Sequence, residues 1–314
     1  MQSILSLFPS QTLPVVVTDS EYARKVFAAR GFRVTDGIST AERLKEAIFI
    51  PTDEEHTLPR DKLEFILGDA AVLVIPLMSF NATRPAIDYL LKRLERLDFK
   101  AACAVSAERI RLIEQNQGRI QVSSVGSNSL SIAIGSNPEV FLPKITPEIA
   151  FGEWAVISQF LEVALIPNEG NTSFSVDGSI SCDGASVAFH SENWRTSRAP
   201  AVAAWRFLKG VREAGGFPLT LSISQSMVLS IKTSMGLDIT PVLMPLTDLE
   251  LHEQLIEMSF ASVPFDEEVD WNINSQINEA SGGVHVAIGT GVAAAHIDFI
   301  SSKAIAVIEQ EIIF

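Results

Sequence analysis

Only two cysteines occur in the 314 residues, Cys103 and Cys182. They match neither a metal-binding spacing nor a dense disulfide framework, and read as ordinary small residues in a reducing compartment. Tyrosine is as scarce, with Tyr22 and Tyr89 alone, and histidine stops at five. No apolar run reaches the roughly eighteen residues of a membrane span, so none is expected. The opening stretch "MQSILSLFPSQTLP" lacks a basic segment and a cleavage site, so no signal peptide is expected and a cytoplasmic location follows. G-x-G-x-x-G and phosphate-loop motifs are missing, which leaves a nucleotide-binding role unsupported. G-x-S-x-G is missing too, which removes the commonest serine-nucleophile signature. Basic residues are few, 24 against 38 acidic, for a net charge of −14. That balance argues against nucleic acid and anionic membranes as partners.

What is present is a globular composition, 47% hydrophobic and 20% charged, long enough for two domains. In the first hundred residues strand-like and helix-like patterns alternate. "PVVVTD" reads as a buried strand, Thr18-x-x-Glu21 as a capping box, and Tyr22, Val26 and Phe27 as one helical face closed by Gly31. "AIFIP" (47–51) and "AAVLVIPL" (70–77) are further strand-length runs, and 82–99 has an amphipathic helical pattern with basic last turns. From about residue 118 the texture changes. "RIQVSSVGSNSLSIAIGSNP" and "TSFSVDGSISCDGASVAFH" alternate like antiparallel hairpins, with Asp-Gly turn signals at 177–178 and 183–184. A helix is expected around "SRAPAVAAWRFLKGVREAGG", a second amphipathic stretch over "TDLELHEQLIEMSF", and a strand-like end in "KAIAVIEQEIIF". The expected fold is an α/β domain over 1–110 with a Rossmann-like parallel sheet, then an α+β, antiparallel-sheet-rich domain over 111–314. The boundary falls near 100–117.

The chemistry concentrates late in the chain. In "AHIDFI", His296 and Asp298 stand two apart, so on a strand they share one face. His285 lies in the apolar run "GGVHVAIG", where a buried imidazole needs a partner. The glycines and alanines of 289–295 let backbones approach closely. Two histidines and a carboxylate suit Zn²⁺, Co²⁺, Mn²⁺ or Fe²⁺, although the spacing alone is equally that of core histidines and a turn-capping aspartate.

"ASGGVHVAIGTG" followed by "AHIDFI" resembles the closing signature of the thermophilic metalloaminopeptidases, the aminopeptidase T/aminopeptidase S group. "GEWAVISQFLEVALIP" (152–167) and "QLIEMSFASVP" (254–264) resemble two earlier segments of that family, in the same order. The resemblance implies Glu162, Glu257, His285, His296 and Asp298 as ligands of one or two divalent metal ions. It implies Glu162 or Glu279 as general base, a peptide substrate bound by its amino terminus, and a homodimer. It covers 260–300 best, 150–190 less closely, and 1–115 in architecture only. The chain departs from the pattern in four respects, the first being that it is shorter than a typical aminopeptidase of the group, most visibly in the first domain. No tyrosine follows His285, where the sequence reads Ile288-Gly289-Thr290-Gly291. Only the ten residues 286–295 separate the two histidines. "FLEV" stands before the first glutamate position. A related fold, 2,5-dihydroxypyridine 5,6-dioxygenase, would use His285, His296 and Asp298 alone as a mononuclear Fe²⁺ triad acting on a small aromatic substrate. A third reading keeps the fold as a peptide-binding protein without catalysis, for example in ribosomal-peptide maturation. His190 and Glu192 could line a cleft but read first as surface residues, and His56 and His252 read as solvated. Arg195 and Arg198 beside Trp194 could receive a substrate carboxylate but read first as loop salt-bridge partners.

Overall fold

The computed structural model describes residues 2–309 except 56–57, 81, 116–117, 142, 169–171, 191–193, 249–250, 252 and 265–267. Strands form at β1 (Val15–Val17), β2 (Val34–Thr35), β3 (Glu46–Phe49), β4 (Ala71–Val74), β5 (Arg119–Ser123), β6 (Ser129–Ile134), β7 (Glu139–Val140), β8 (Trp154–Val156) and β9 (Glu162–Ile166). They continue with β10 (Phe174–Cys182), β11 (Gly184–Ala188), β12 (Leu219–Ser224), β13 (Met227–Lys232), β14 (Leu255–Ala261), β15 (Val284–Ile288), β16 (His296–Ser301) and β17 (Ile305–Glu309). Helices form at α1 (Gln2–Leu5), α2 (Glu21–Ala28), α3 (Arg60–Leu67), α4 (Arg84–Leu94), α5 (Phe99–Gln115), α6 (Ser158–Leu161), α7 (Trp194–Glu213), α8 (Thr240–Leu243) and α9 (Gln276–Glu279). None is long and apolar enough to cross a membrane among the described residues.

The β-branched runs of the first hundred residues pair in parallel, in the order β2-β1-β3-β4-β8. Both faces are covered, as a parallel sheet requires. Ile48 and Leu73 pack with Leu90, Phe99 and Phe160 on one side. Val17, Phe49 and Val72 pack with Ile66 and Leu67 on the other. Each such fully buried side chain contributes roughly 1.5–3 kcal/mol. The capping box expected at Thr18 and Glu21 does not form. Ser20 is the N-cap, its hydroxyl accepting from Ala23 N–H at 3.2 Å, while Thr18 Oγ1 accepts from Ser20 N–H at 3.3 Å.

The segment expected as one helix over 82–99 ends at Leu94, and a second helix, α5, begins at Phe99. That helix occupies the stretch read as a boundary. Its first turns place Phe99 and Cys103 in the core of the parallel sheet, and its last places Ile113 in the core of the antiparallel sheets. A segment polar enough to resemble a linker is thus a helix anchored in two cores. The parallel sheet also takes its last strand, β8, from residues 154–156.

Beyond α5, two antiparallel sheets follow, ordered β13-β12-β10-β6-β5-β17 and β11-β16-β15-β14-β9-β7. The β5–β6 hairpin closes as its alternation predicts. The Asp-Gly at 177–178 makes no turn. It lies inside β10, where Gly178 has φ 121° and a Cβ would stand 2.2 Å from Ser129 O, so glycine serves a close strand approach. The second Asp-Gly marks the bend where the chain leaves one antiparallel sheet for the other. The amphipathic stretch over 247–260 ends in a strand: β14 runs between β15 and β9, with Met258 and Phe260 buried. Two flanking partners outweigh its helix-like spacing of charges.

Candidate metal centre

One face of the second antiparallel sheet gathers the ionisable residues. The register sets Ser259 opposite His285, Ala287 opposite Asp298, and Ala164 opposite Ser259. Side chains alternate along each strand, so Glu162 of β9, Glu257 of β14, His285 of β15, and His296 and Asp298 of β16 share that face. All five come together. Their donor atoms form two groups, Glu162–Glu257–His285 and Glu257–His296–Asp298, each with its atoms within 4.8 Å of one another.

Glu257 belongs to both groups and turns one oxygen to each imidazole. Oε1 is 3.1 Å from His285 Nε2, and Oε2 is 3.9 Å from His296 Nε2. His285 Nε2 also lies 3.7 Å from Glu162 Oε2 and 3.7 Å from Asp298 Oδ1, and His296 Nε2 lies 3.1 Å from Asp298 Oδ1. Each Nδ1–H is taken by a backbone carbonyl, Glu279 O at 3.2 Å for His285 and Gly289 O at 2.8 Å for His296. That fixes both ring orientations and turns the two Nε2 atoms toward the carboxylates, the arrangement in which imidazole ligates a cation. Ser259 donates to Glu162 Oε2 at 3.3 Å, and Ser186 Oγ donates to Glu279 Oε1 at 2.8 Å and stands 3.2 Å from Asp298 Oδ2.

The glycine-rich stretch between the histidines has a local reason. Gly289 turns the chain at φ 74°, and a Cβ there would stand 2.1 Å from Ala295 O. The turn it allows also delivers the carbonyl that holds His296.

The electrostatics are those of a site that stores protons. Burial raises Glu162 to about 8, aided by Glu257 and Asp298 and opposed by His285. Burial and the neighbouring charges of Asp298 and Glu162 push Glu279 well above the usual carboxylate range. Burial opposes the charged imidazolium, but the hydrogen bond to Glu257 and the surrounding carboxylates overcome it and raise His285 to about 10. His296 rises to about 9 against the same burial, chiefly through Asp298. Asp298 is lowered, burial being outweighed by His296. Four carboxylates and the His296 imidazole line the pocket, and no lysine or arginine is among the described residues that line it. Carboxylate oxygen and imidazole donors, four carboxylates to two imidazoles, fit a divalent cation of the Zn, Co, Mn or Fe kind once their protons are displaced.

Glu279 adjoins the two groups without belonging to either. It sits on α9, which Tyr89 of α4 anchors by donating to Asn278 Oδ1 at 2.5 Å, while Asn278 Nδ2 donates to Ile273 O at 2.8 Å. A cavity of about 200 Å³ opens on Glu162, Glu257, Glu279, His296 and Asp298. His190 is exposed and outside the cluster, its backbone N–H donating to Gly291 O at 2.7 Å. Arg198 pairs with Glu54 at 3.5 Å, the expected salt bridge. Arg195 lies exposed at the start of α7. His56, Glu192 and His252 lie outside the described residues. The sequence reading missed Ser186, Ser259, Gln276 and the Tyr89–Asn278 pair. No local pattern marks them, because each meets its partner only through the fold.

The family profile described as "Crocagin biosynthetic protein CgnE/B" matches residues 11–309. The chain belongs to the CgnE/B family of crocagin biosynthetic proteins. A search of curated proteins returned no match. Among solved structures, 2,5-dihydroxypyridine dioxygenase from Pseudomonas putida KT2440 superposes with a TM-score of 0.51 at 12% identity, over 98% of this chain and 91% of that one. AmpT from Thermus thermophilus gives 0.47 at 12% identity, over 95% and 90%. The family is therefore a biosynthetic one, and the likeness to the dioxygenase is one of fold.

Proposed function

We propose that this CgnE/B family member is a metal-dependent hydrolase that cleaves an amide bond at the amino end of a peptide. The observation that carries the reading is Glu257, one carboxylate with an oxygen toward each of two separate donor groups. A mononuclear triad would need only His285, His296 and Asp298. It leaves no task for Glu162 and Glu257, both turned to His285. The five ligand residues, Glu162, Glu257, His285, His296 and Asp298, would hold one or two divalent ions, which would supply Lewis acidity toward the amide carbonyl and toward water.

The chain's own groups supply the rest. Glu279, held by Ser186, would accept the proton of the attacking water as a carboxylate and return it to the leaving nitrogen. Burial and the neighbouring carboxylates favour its protonated form in the metal-free pocket, and a bound divalent charge would favour the ionised form the step needs. The acidic lining favours a cationic amino terminus over a carboxy terminus. The family's name supports a biosynthetic role for the cleavage.

A second reading, peptide binding without turnover, draws on the tyrosines. Tyr22 donates to Asp88 and Tyr89 to Asn278, so neither hydroxyl is turned to the donor groups. One experiment separates the readings: aminoacyl chromogenic substrates assayed after loading with Zn²⁺, Co²⁺, Mn²⁺ or Fe²⁺. Metal-dependent turnover that Glu257→Gln removes is expected. No turnover above background with any metal at high protein concentration overturns the hydrolase. Oxygen uptake with Fe²⁺ and a dihydroxypyridine would support the iron triad instead.

A further inference from the structure

One polar atom of the cavity wall is left over by the proposed chemistry. Gln276 Oε1 is buried and has no hydrogen-bond partner among the described residues. Gln276 lines the cavity beside Glu257, Glu279 and His296. An unpaired buried carboxamide oxygen is costly and calls for an explanation. The backbone beneath it is fixed, because Ser275 Oγ accepts from Ile277 N–H and Tyr89 anchors Asn278. The side chain thus springs from a fixed backbone, and its oxygen has no partner among the described residues. The carboxylates around it are acceptors as well, so this wall selects a ligand that brings hydrogen-bond donors. Apolar surface completes the cavity: Phe80 is half-buried, and the Phe141 ring is 44% exposed.

We infer that Gln276 is a specificity residue whose Oε1 accepts an N–H of the substrate's free α-amino group, while an apolar or aromatic first side chain packs against Phe80 and Phe141. This rests on the reading of the cavity as a site for peptide amino termini, and names the end group and side chain it takes. An ammonium carries three donors, enough for Gln276 and a neighbouring carboxylate together.

The test is calorimetric titration of the protein, as purified and metal-loaded, with phenylalanyl-alanine amide and its N-acetyl derivative. Wild type, Gln276→Met and Gln276→Glu are compared, with the melting temperature of each. The free-amine peptide is expected to bind wild type, to bind Gln276→Met roughly tenfold more weakly, and to keep binding Gln276→Glu, which retains an acceptor oxygen. The acetylated peptide is expected to bind wild type no better than Gln276→Met. Gln276→Met should melt no lower than wild type, because its buried oxygen has no bond to lose; a structural role would lower it. Equal affinity of wild type and Gln276→Met, or no binding of the free-amine peptide to wild type, overturns the inference. Hydrolysis assayed on the same samples keeps the two readings apart. Gln276-dependent binding without cleavage would sink the hydrolase and leave this inference standing. Cleavage with an unchanged KM in Gln276→Met would do the reverse.

Discussion

The parallel sheet, of short strands, and the β11–β16–β15–β14–β9–β7 sheet, of mostly longer ones, serve opposite ends. In the first, Val17, Ile48, Phe49, Val72 and Leu73 bury both faces in apolar side chains. In the second, one face is apolar, with Val286, Ile297 and Phe299 in the core, and the other sets Glu162, Glu257, His285, His296 and Asp298 against one another. The parallel sheet has the layout of nucleotide-binding folds without a phosphate loop, so layout and function part company there. The antiparallel sheet shows what stability alone does not account for. Burying several carboxylates beside two imidazoles is met in the metal-free protein by protons, since Glu162 and both histidines are raised, and the same donors would serve a divalent cation.

The contrast can be broken from either side. Glu257→Gln removes the carboxylate common to both donor groups and should lower metal-dependent turnover by about 100-fold or more, while the metal-free protein loses the support Glu257 gives protonated His285 and melts lower at neutral pH. Leu73→Ala, in the middle of the parallel sheet, should spare the site. A cavity there costs about 2–5 kcal/mol in urea unfolding and leaves the metal content per folded chain unchanged. Gly289→Ala joins the two effects, because φ 74° is strained for alanine by about 1–2 kcal/mol and the shifted turn loosens the carbonyl that holds His296. Its melting point and its metal affinity should fall together. Tyr89→Phe is milder, about 1–2 kcal/mol from the lost hydrogen bonds to Asn278 and from Asp270 N–H, with metal content kept and turnover reduced through a less firmly held Glu279.

Titration sharpens the same contrast. In the metal-free protein Glu162 is raised from 4.5 to about 8, and His285 and His296 from 6.5 to about 10 and about 9. The folded state therefore binds more protons than the unfolded one over these ranges, and stability falls as pH rises. The histidine contribution is complete below 6.5 and gone above about 10; that of Glu162 is complete below 4.5 and gone above about 8. Melting temperatures of metal-free protein should drop steadily from pH 6.5 to 10. Bound cations replace those protons, so loading should flatten the profile and release protons into a weakly buffered solution. A metal-free profile that rises with pH over this range would contradict the assignment.

Much of the fold was legible because periodicity survives in single elements. The valine-rich β1, the alternating β5–β6 hairpin and the α7 helix each carry their own signal. β14 did not, since its charges are spaced like a helix's and only pairing with β15 and β9 decides otherwise. α5 hid for a related reason: its polar surface is readable, whereas its burial at two ends is a property of the packing. At the site, the two-residue spacing of His296 and Asp298 already put them on one face, and the family resemblance supplied Glu162, Glu257 and His285. Ser186, Ser259 and Tyr89 could not be seen in this way. Their hydrogen bonds span 93, 97 and 189 positions, distances at which no sequence pattern operates.

The claim at the centre of the account is that Glu257 joins two donor groups into one metal centre. Elemental analysis of the purified protein, equilibrated with excess Zn²⁺ or Mn²⁺ and then desalted, tests it most directly. Up to about two ions per chain are expected, falling to about one or fewer in Glu257→Gln. Retention of no stoichiometric metal by the wild type, or retention unaffected by Glu257→Gln, would contradict it.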